Sequence, residues 1–229
     1  MKKLSLYISG LVLSLASLNS YALDVSGNVS LASDYVYRGI SQTNEEATIQ
    51  GGFDLSAESG FYAGVWASNI AFDGSIEIDI YGGFAKELNE EWSIDVGLLR
   101  YEYPNNAGPN ESSFNEVYGS LSFRELSVGV AYSDDFFFES DSSIYIYVNY
   151  SLALPNDFGV DFHYGNQSID DNNTFGTPDY ADYSISLSKS VAELDLSLTW
   201  YDTDLSGSEC FGGADVCDSR IVFGLSKSL

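Results

Sequence analysis

The sequence predicts an all-β fold, a transmembrane up-and-down antiparallel β-barrel of about twelve strands behind an N-terminal signal peptide. Three observations predict it. Apolar and polar residues alternate with period two along most of the chain, the spacing of strands with one oily and one wet face. Short turns and long loops take turns as connections, as they do where strands run up and down through a membrane. Beyond Leu18 no segment is apolar enough to cross as a helix. A closed barrel then remains as the spanning structure, because every backbone N–H and C=O in lipid needs a partner within the protein.

Lys2 and Lys3 open the chain, an apolar stretch runs from Leu4 to Leu18, and Ser20-Tyr21-Ala22 supplies the small residues of a cut after Ala22. A spanning anchor needs ~20 apolar residues in a row, whereas this stretch is shorter and is diluted by Ser9, Gly10, Ser14 and Ser17. Residues 1–22 are therefore expected to be removed. No linker rich in Pro, Ser or charge divides the remainder, so 23–229 is expected to form one barrel.

Twelve strands follow in order. Val25, Gly27, Val29 and Leu31 mark the first apolar stripe, Ile49 to Ala57 the second and, after the tight Ser59-Gly60 turn, Phe61 to Ala67 the third. Ile76, Ile78, Ile80, Gly82 and Phe84 form the fourth, and Ile94, Val96 and Leu98 the fifth. Val117 to Phe123, Leu126 to Tyr132, Ile144 to Tyr150 and Phe158 to Tyr164 continue the series. Tyr183 to Leu187, Leu194 to Trp200 and Ile221 to Leu229 complete it. Short turns fall near Ser59-Gly60, Asn89-Glu90, Arg124-Glu125, Pro155-Asn156 and Val191-Ala192, and longer loops near 39–47, 104–113, 133–142, 166–179 and 203–218. The 71–74 connection is shorter than this scheme prefers. Tyr35, Tyr37, Trp66, Trp92, Tyr101, Tyr103, Tyr132, Tyr150, Tyr164 and Trp200 fall near strand ends, where amphipathic rings suit the headgroup zone. A secreted β-sandwich also alternates with period two, but does not need long and short connections to alternate.

Charge bounds the partners. The chain has 34 acidic and 9 basic residues. Loss of Lys2 and Lys3 would leave a net charge of −27, which argues against nucleic acid or anionic phospholipid as an electrostatic partner. Cys210 and Cys217 are the only thiols; in an oxidising compartment they are expected to form a disulfide. Zinc would need more ligands than these two thiols and the distant His163 offer. No cofactor motif is present, neither a phosphate-cradling Gly-rich loop nor haem spacing.

By the alternation, Asp34, Arg38, Gln50, Asp54, Glu77, Asp79, Asp95, Glu116, Tyr118, Asp161, His163, Asp182 and Asp195 point into the barrel. Rings of fixed charge set ion preference in pores, so the lumen is expected to pass small cationic or neutral solutes. The competing expectation is a plugged, self-paired lumen, in a structural or surface-binding barrel. Arg38-Gly39 is either an arginine at the pore rim or a structural turn in which Gly39 takes an unusual backbone angle. Asp161 and His163 share a face, as a carboxylate and general base would in a membrane hydrolase; the spacing is cheap, and the expectation is no enzyme. The acidic runs Asp134-Asp135, Glu139-Asp141 and Asp170-Asp171 read as solvated loop acids, or as ligands for Ca²⁺ or for lipopolysaccharide through divalent ions.

The segment Ser26–Ile70 carries SGNVSLASDYVYRGISQT and then IQGGFDLSAESGFYAGVWASN, and Glu77–Gly83 reads EIDIYGG. These resemble the marks of the TorF-type porin family: S-D-Y-x-x-R-G-x-S-Q-T at Ser33 to Thr43, Q-G-G-F-D at Gln50 to Asp54, G-F-Y-A-G-x-W-x-S at Gly60 to Ser68, and E-x-D-x-Y-x-G at Glu77 to Gly83. The resemblance implies a bacterial outer-membrane location, lipid and lipopolysaccharide as surroundings, and a channel role without a known solute. It also implies insertion by the barrel-assembly machinery through the C-terminal strand. Insertion signals of that kind commonly finish in Phe, whereas this chain ends in Leu229, which keeps the apolar face in phase.

Overall fold

The computed structural model describes residues 23–104 and 111–229. The signal segment with its cut, and most of the 104–113 loop, lie outside the described residues. The strands are β1 Leu23–Ala32, β2 Val36–Tyr37, β3 Ile40–Ser41, β4 Thr48–Ala57, β5 Phe61–Asn69, β6 Ile76–Glu87 and β7 Trp92–Glu102. They continue with β8 Phe114–Phe123, β9 Leu126–Ser133, β10 Ser143–Leu154, β11 Phe158–Ile169, β12 Tyr180–Val191, β13 Leu194–Thr203 and β14 Arg220–Ser228. All except β2 and β3 join one closed antiparallel barrel of twelve strands, each paired with its neighbours in sequence and β1 paired with β14.

Alternation places the side chains. In β10, Ile146 is 54% exposed on the outer wall while Tyr145, one residue earlier, is 5% exposed inside. The same parity sends Leu31, Phe53, Val65, Ile80, Leu98, Val128, Leu187 and Phe223 outward. The usual arrangement of a globular protein is thereby inverted, with large apolar groups outside and Glu77, Glu116, Gln167 and Asp182 buried within. One-residue slips would exchange the two sets, so the buried polar groups pin the register.

The two ends differ. Tight turns join β4 to β5, β6 to β7, β8 to β9, β10 to β11 and β12 to β13 at one end. At the other, longer connections pack over the opening around Phe114, Phe136, Phe137, Phe175 and Tyr180, with the Cys210–Cys217 disulfide (S–S 1.98 Å) in the same cluster. The 70–75 connection contains a 3₁₀ turn at Asp73–Ser75, and the loop after β11 a single helical turn, Asn172–Phe175, capped by Asp171.

Two expectations need correction. The first long loop does not begin at residue 39: β1 ends at Ala32, and residues 33–47 turn inward, with β2 and β3 paired as a small hairpin. The proposed aromatic girdle also divides. Trp92, Tyr132 and Trp200 lie exposed on the outer wall. Tyr35 and Trp66 instead pack edge to face at 5.4 Å, and Tyr37, Tyr101 and Tyr103 pack with the cluster at the loop end. Proximity to a strand end was a poor guide. Parity decides, and Trp66 and Tyr101 stand in the inward phase of β5 and β7.

Candidate functional site

The segment 33–47 crosses the lumen from wall to wall. Its hairpin tip is Arg38-Gly39, with φ of +46° and +80°, the left-handed pair of a two-residue type I′ turn. Gly39 presses against the β12–β13 wall: a Cβ there would lie 2.5 Å from Thr203 Cγ2 and 2.8 Å from Asp182 Cβ. Behind the tip, Asp34 ties the segment together, accepting from Ser41 Oγ (2.6 Å) and Thr43 Oγ1 (2.7 Å) and pairing with Arg220 Nη1 on β14 (3.3 Å). Tyr35 donates to Glu77 on β6 at 2.6 Å, and the backbone N–H of Ala71 donates to the Gln42 carbonyl at 2.8 Å. The Ser33–Thr43 motif is thus the chemistry of an inward-folded segment.

Arg38 stands at its centre. Nη2 donates to both oxygens of Glu116 on β8 (2.7 and 2.9 Å), and Nη1 donates to Gln167 Oε1 on β11 (2.6 Å). The guanidinium carbon lies 4.2 Å from the Tyr145 ring centre and 4.7 Å from that of Tyr37, within cation–π range. The side chains of Arg38 and Glu116 are 8% and 3% exposed. A buried pair of this kind adds little net stability, yet removing one partner costs ~3–5 kcal/mol because the other is stranded; its effect is to fix where the hairpin sits. The turn reading of Arg38-Gly39 fits, since Gly39 takes a left-handed angle, but the turn carries Arg38 into the lumen and buries it there instead of placing it at the rim.

The other acids occupy successive levels. Near the loop end, Glu77 accepts from Tyr35 and from Tyr103 Oη, each at 2.6 Å. Burial, and then the adjacent Glu77, push the Tyr103 phenol well above its ordinary pKa, so it remains a donor. Asp79 is 9% exposed, and its Oδ1 has no hydrogen-bond partner among the described residues. Nearer the turn end, Tyr81 donates to Asp54, Tyr62 to Asp95 (2.6 Å), and the Tyr62 and Tyr118 hydroxyls meet at 2.5 Å. Gln50 accepts from Ser30 on the neighbouring strand, and Asp195 from Ser190 at the turn end.

The suggested Asp161–His163 pair does not form. Asp161 accepts from Ser151 Oγ at 2.6 Å. His163 instead meets Asn149 Oδ1 through Nδ1 (2.6 Å), and Asp182 Oδ1 (3.0 Å) and Tyr145 Oη (2.8 Å) through Nε2. Residues two apart on a strand share a face but stand side by side, whereas the cross-strand neighbour lies closer to the ring. These groups, together with Arg38, line a cavity of 450 Å³.

Sequence reasoning picked out Tyr118 but missed its companions. Tyr62, Tyr81, Tyr118 and Tyr147 each stand opposite a glycine on the next strand, respectively Gly83, Gly64, Gly97 and Gly129. A Cβ on any of these glycines would lie 2.2–2.5 Å from the tyrosine. The rings lie flat against the wall, which leaves the lumen wider than upright rings would. The signal was available: Tyr145, Tyr147 and Asn149 are the complement of the Ile144, Ile146, Val148 stripe.

Comparison with solved structures gives the same architecture. The KdgM porin is similar over 89% of this chain and 99% of its own, with a TM-score of 0.58 at 11% identity. The NanC porin is similar over 89% and 98%, with a TM-score of 0.53 at 13% identity. At such identities the likeness shows the fold alone. No curated protein sequence matches the chain. A family profile matches residues 17–229, the whole barrel and the inward segment included. The chain belongs to the Gcw_chp family, bacterial proteins of unknown function.

Proposed function

We propose that this protein is a porin-type channel of the bacterial outer membrane, set in lipid and lipopolysaccharide, that passes small cationic or neutral polar solutes. The observation that carries the reading is the charge inside a closed barrel with an apolar outer wall. Asp54, Glu77, Asp79, Asp95, Glu116, Asp161 and Asp182 face the lumen. Among the described residues its arginines are Arg38 and Arg220, both paired with acids. Fixed carboxylates attract cations and repel anions. The similar KdgM porin has been solved with oligogalacturonate; a polyanion of that kind is ill suited to the acidic lumen here. The TorF-type resemblance of Ser26–Ile70 supports the same role. So does the outward apolar band, which suits a hydrocarbon core.

One observation favours a second reading, a barrel without a standing pore: residues 33–47 cross the lumen and are tied to β6, β8, β11 and β14. Recording across planar bilayers in a KCl gradient separates the two. The channel reading expects discrete conductance steps with a reversal potential of cation-selective sign, moved toward zero by Asp54→Asn with Asp95→Asn. Silence in the wild type and also in variants that release the segment would leave the barrel as a scaffold.

A further inference from the structure

We propose that the Arg38 pocket is a binding site for guanidinium-bearing solutes, and that Arg38 is its tethered occupant. The inference deepens the channel reading and rests on it. The walls supply most of the pocket. Glu116 comes from β8, Gln167 from β11 and Tyr145 from β10, while the inward segment contributes Tyr37. The acceptors are set without Arg38: Tyr101 Oη donates to Glu116 at 3.3 Å, and the Gln167 amide nitrogen donates to the Ser168 carbonyl at 3.3 Å, leaving Oε1 to face inward. Gln167 is fully buried and Glu116 nearly so.

The arrangement suits a planar cation in particular. Two nitrogens of one fork reach acceptors on different strands, and a ring lies within cation–π distance of the central carbon. An ammonium ion could take Glu116, but not Gln167 and the ring face in the same pose. When the hairpin swings out, the wall keeps three acceptor oxygens, two of them those of the Glu116 carboxylate now without its counter-charge, and the Tyr145 ring. A free guanidinium compound restores each of these contacts. Access exists, because the 450 Å³ cavity holds Asp161, Asp182, Asn149 and His163 and reaches Arg38. It has room for the remainder of such a solute. On this view a solute and Arg38 compete for one seat, and closure of the barrel is a form of self-occupancy.

The test uses Arg38→Ala, with Arg38→Gln as the second variant should alanine prevent assembly, in nanodiscs and planar bilayers. Probes are methylguanidinium and agmatine; controls are urea, a neutral planar analogue, and ammonium. Both Arg38 variants should conduct more than the wild type. Methylguanidinium should block them saturably and raise their thermal unfolding midpoint. Urea should do neither, and ammonium should be at least tenfold weaker. Adding Glu116→Gln should weaken block and thermal shift at least tenfold. Equal effects of urea, or equal effects with Glu116→Gln in place, would overturn the proposal. Conductance without block or thermal shift removes the site and keeps the channel. A thermal shift without conductance keeps the site and removes the channel.

Discussion

Gly39→Ala is the sharpest single perturbation of the inward segment. Gly39 has a φ of +80°, and a methyl group there would come within 2.5 Å of Thr203 Cγ2 and 2.8 Å of Asp182 Cβ. Left-handed backbone costs a residue with a Cβ ~1–2 kcal/mol, and forcing a methyl into a packed wall costs ~1–3 kcal/mol more. Their sum, ~2–5 kcal/mol, raises the undocked fraction roughly 30-fold to several thousand-fold, at ~1.4 kcal/mol per tenfold. Trypsin reads that fraction, because its cleavage point after Arg38 is buried when the hairpin is docked. With docking fast relative to cleavage, the rate tracks the undocked population. Gly212→Ala is the internal control, since Gly212 has a similar φ of +76° but nothing within 4 Å of its notional Cβ. Adding Thr203→Ser to Gly39→Ala removes the nearer clash and should restore part of the protection. The fragment ending at Arg38, followed by mass spectrometry with the barrel still heat-modifiable on gels, is the measure. Cleavage of Gly39→Ala no faster than about threefold over wild type, or equal acceleration at Arg38 by Gly212→Ala, would show that Gly39 does not hold the hairpin against the wall.

Two further outcomes follow from features of the wall and the loops. Replacing Cys210 and Cys217 by serine opens a short covalent loop in the buried cluster, a loss of about 2–3 kcal/mol by chain entropy. Protease resistance of the 203–219 connection should fall while the barrel band on unheated gels persists. Val96→Lys puts a charge on the lipid face at mid-strand, at ~2–4 kcal/mol, and should lower the folded yield in vesicles. Ser120→Lys, which faces the lumen, should fold and reduce cation preference in reversal-potential measurements.

Much of the wall was legible because period two is a geometric necessity of strands. Ile144, Ile146 and Val148 gave β10 its outer face, and the same count assigned Asp54, Asp95 and Glu116 to the lumen. The inward segment was not legible in this way. Its strands, Val36–Tyr37 and Ile40–Ser41, are two residues long and too short for any period to show. Its destination depends on Glu116 and Gln167, 78 and 129 residues further along the chain. Arg38-Gly39 could be read as a turn from Gly39 alone, but nothing local says that the turn lies inside a barrel. His163 makes the same point: Asp161 is its neighbour by count, whereas its ring meets Asn149, its partner across the sheet, and Asp182, a diagonal neighbour on β12.

The seam between β1 and β14 has a consequence for biogenesis. Asn28 pairs with Ser228, and Gly27 and Leu229 exchange backbone hydrogen bonds. Until that late strand is available, every shorter growing chain is a ribbon with two raw edges, ready to zip onto another ribbon. The topology therefore makes meeting of the two borders of one chain compete with pairing between chains. A C-terminal truncation that deletes only β14 should yield aggregates rather than a smaller ring.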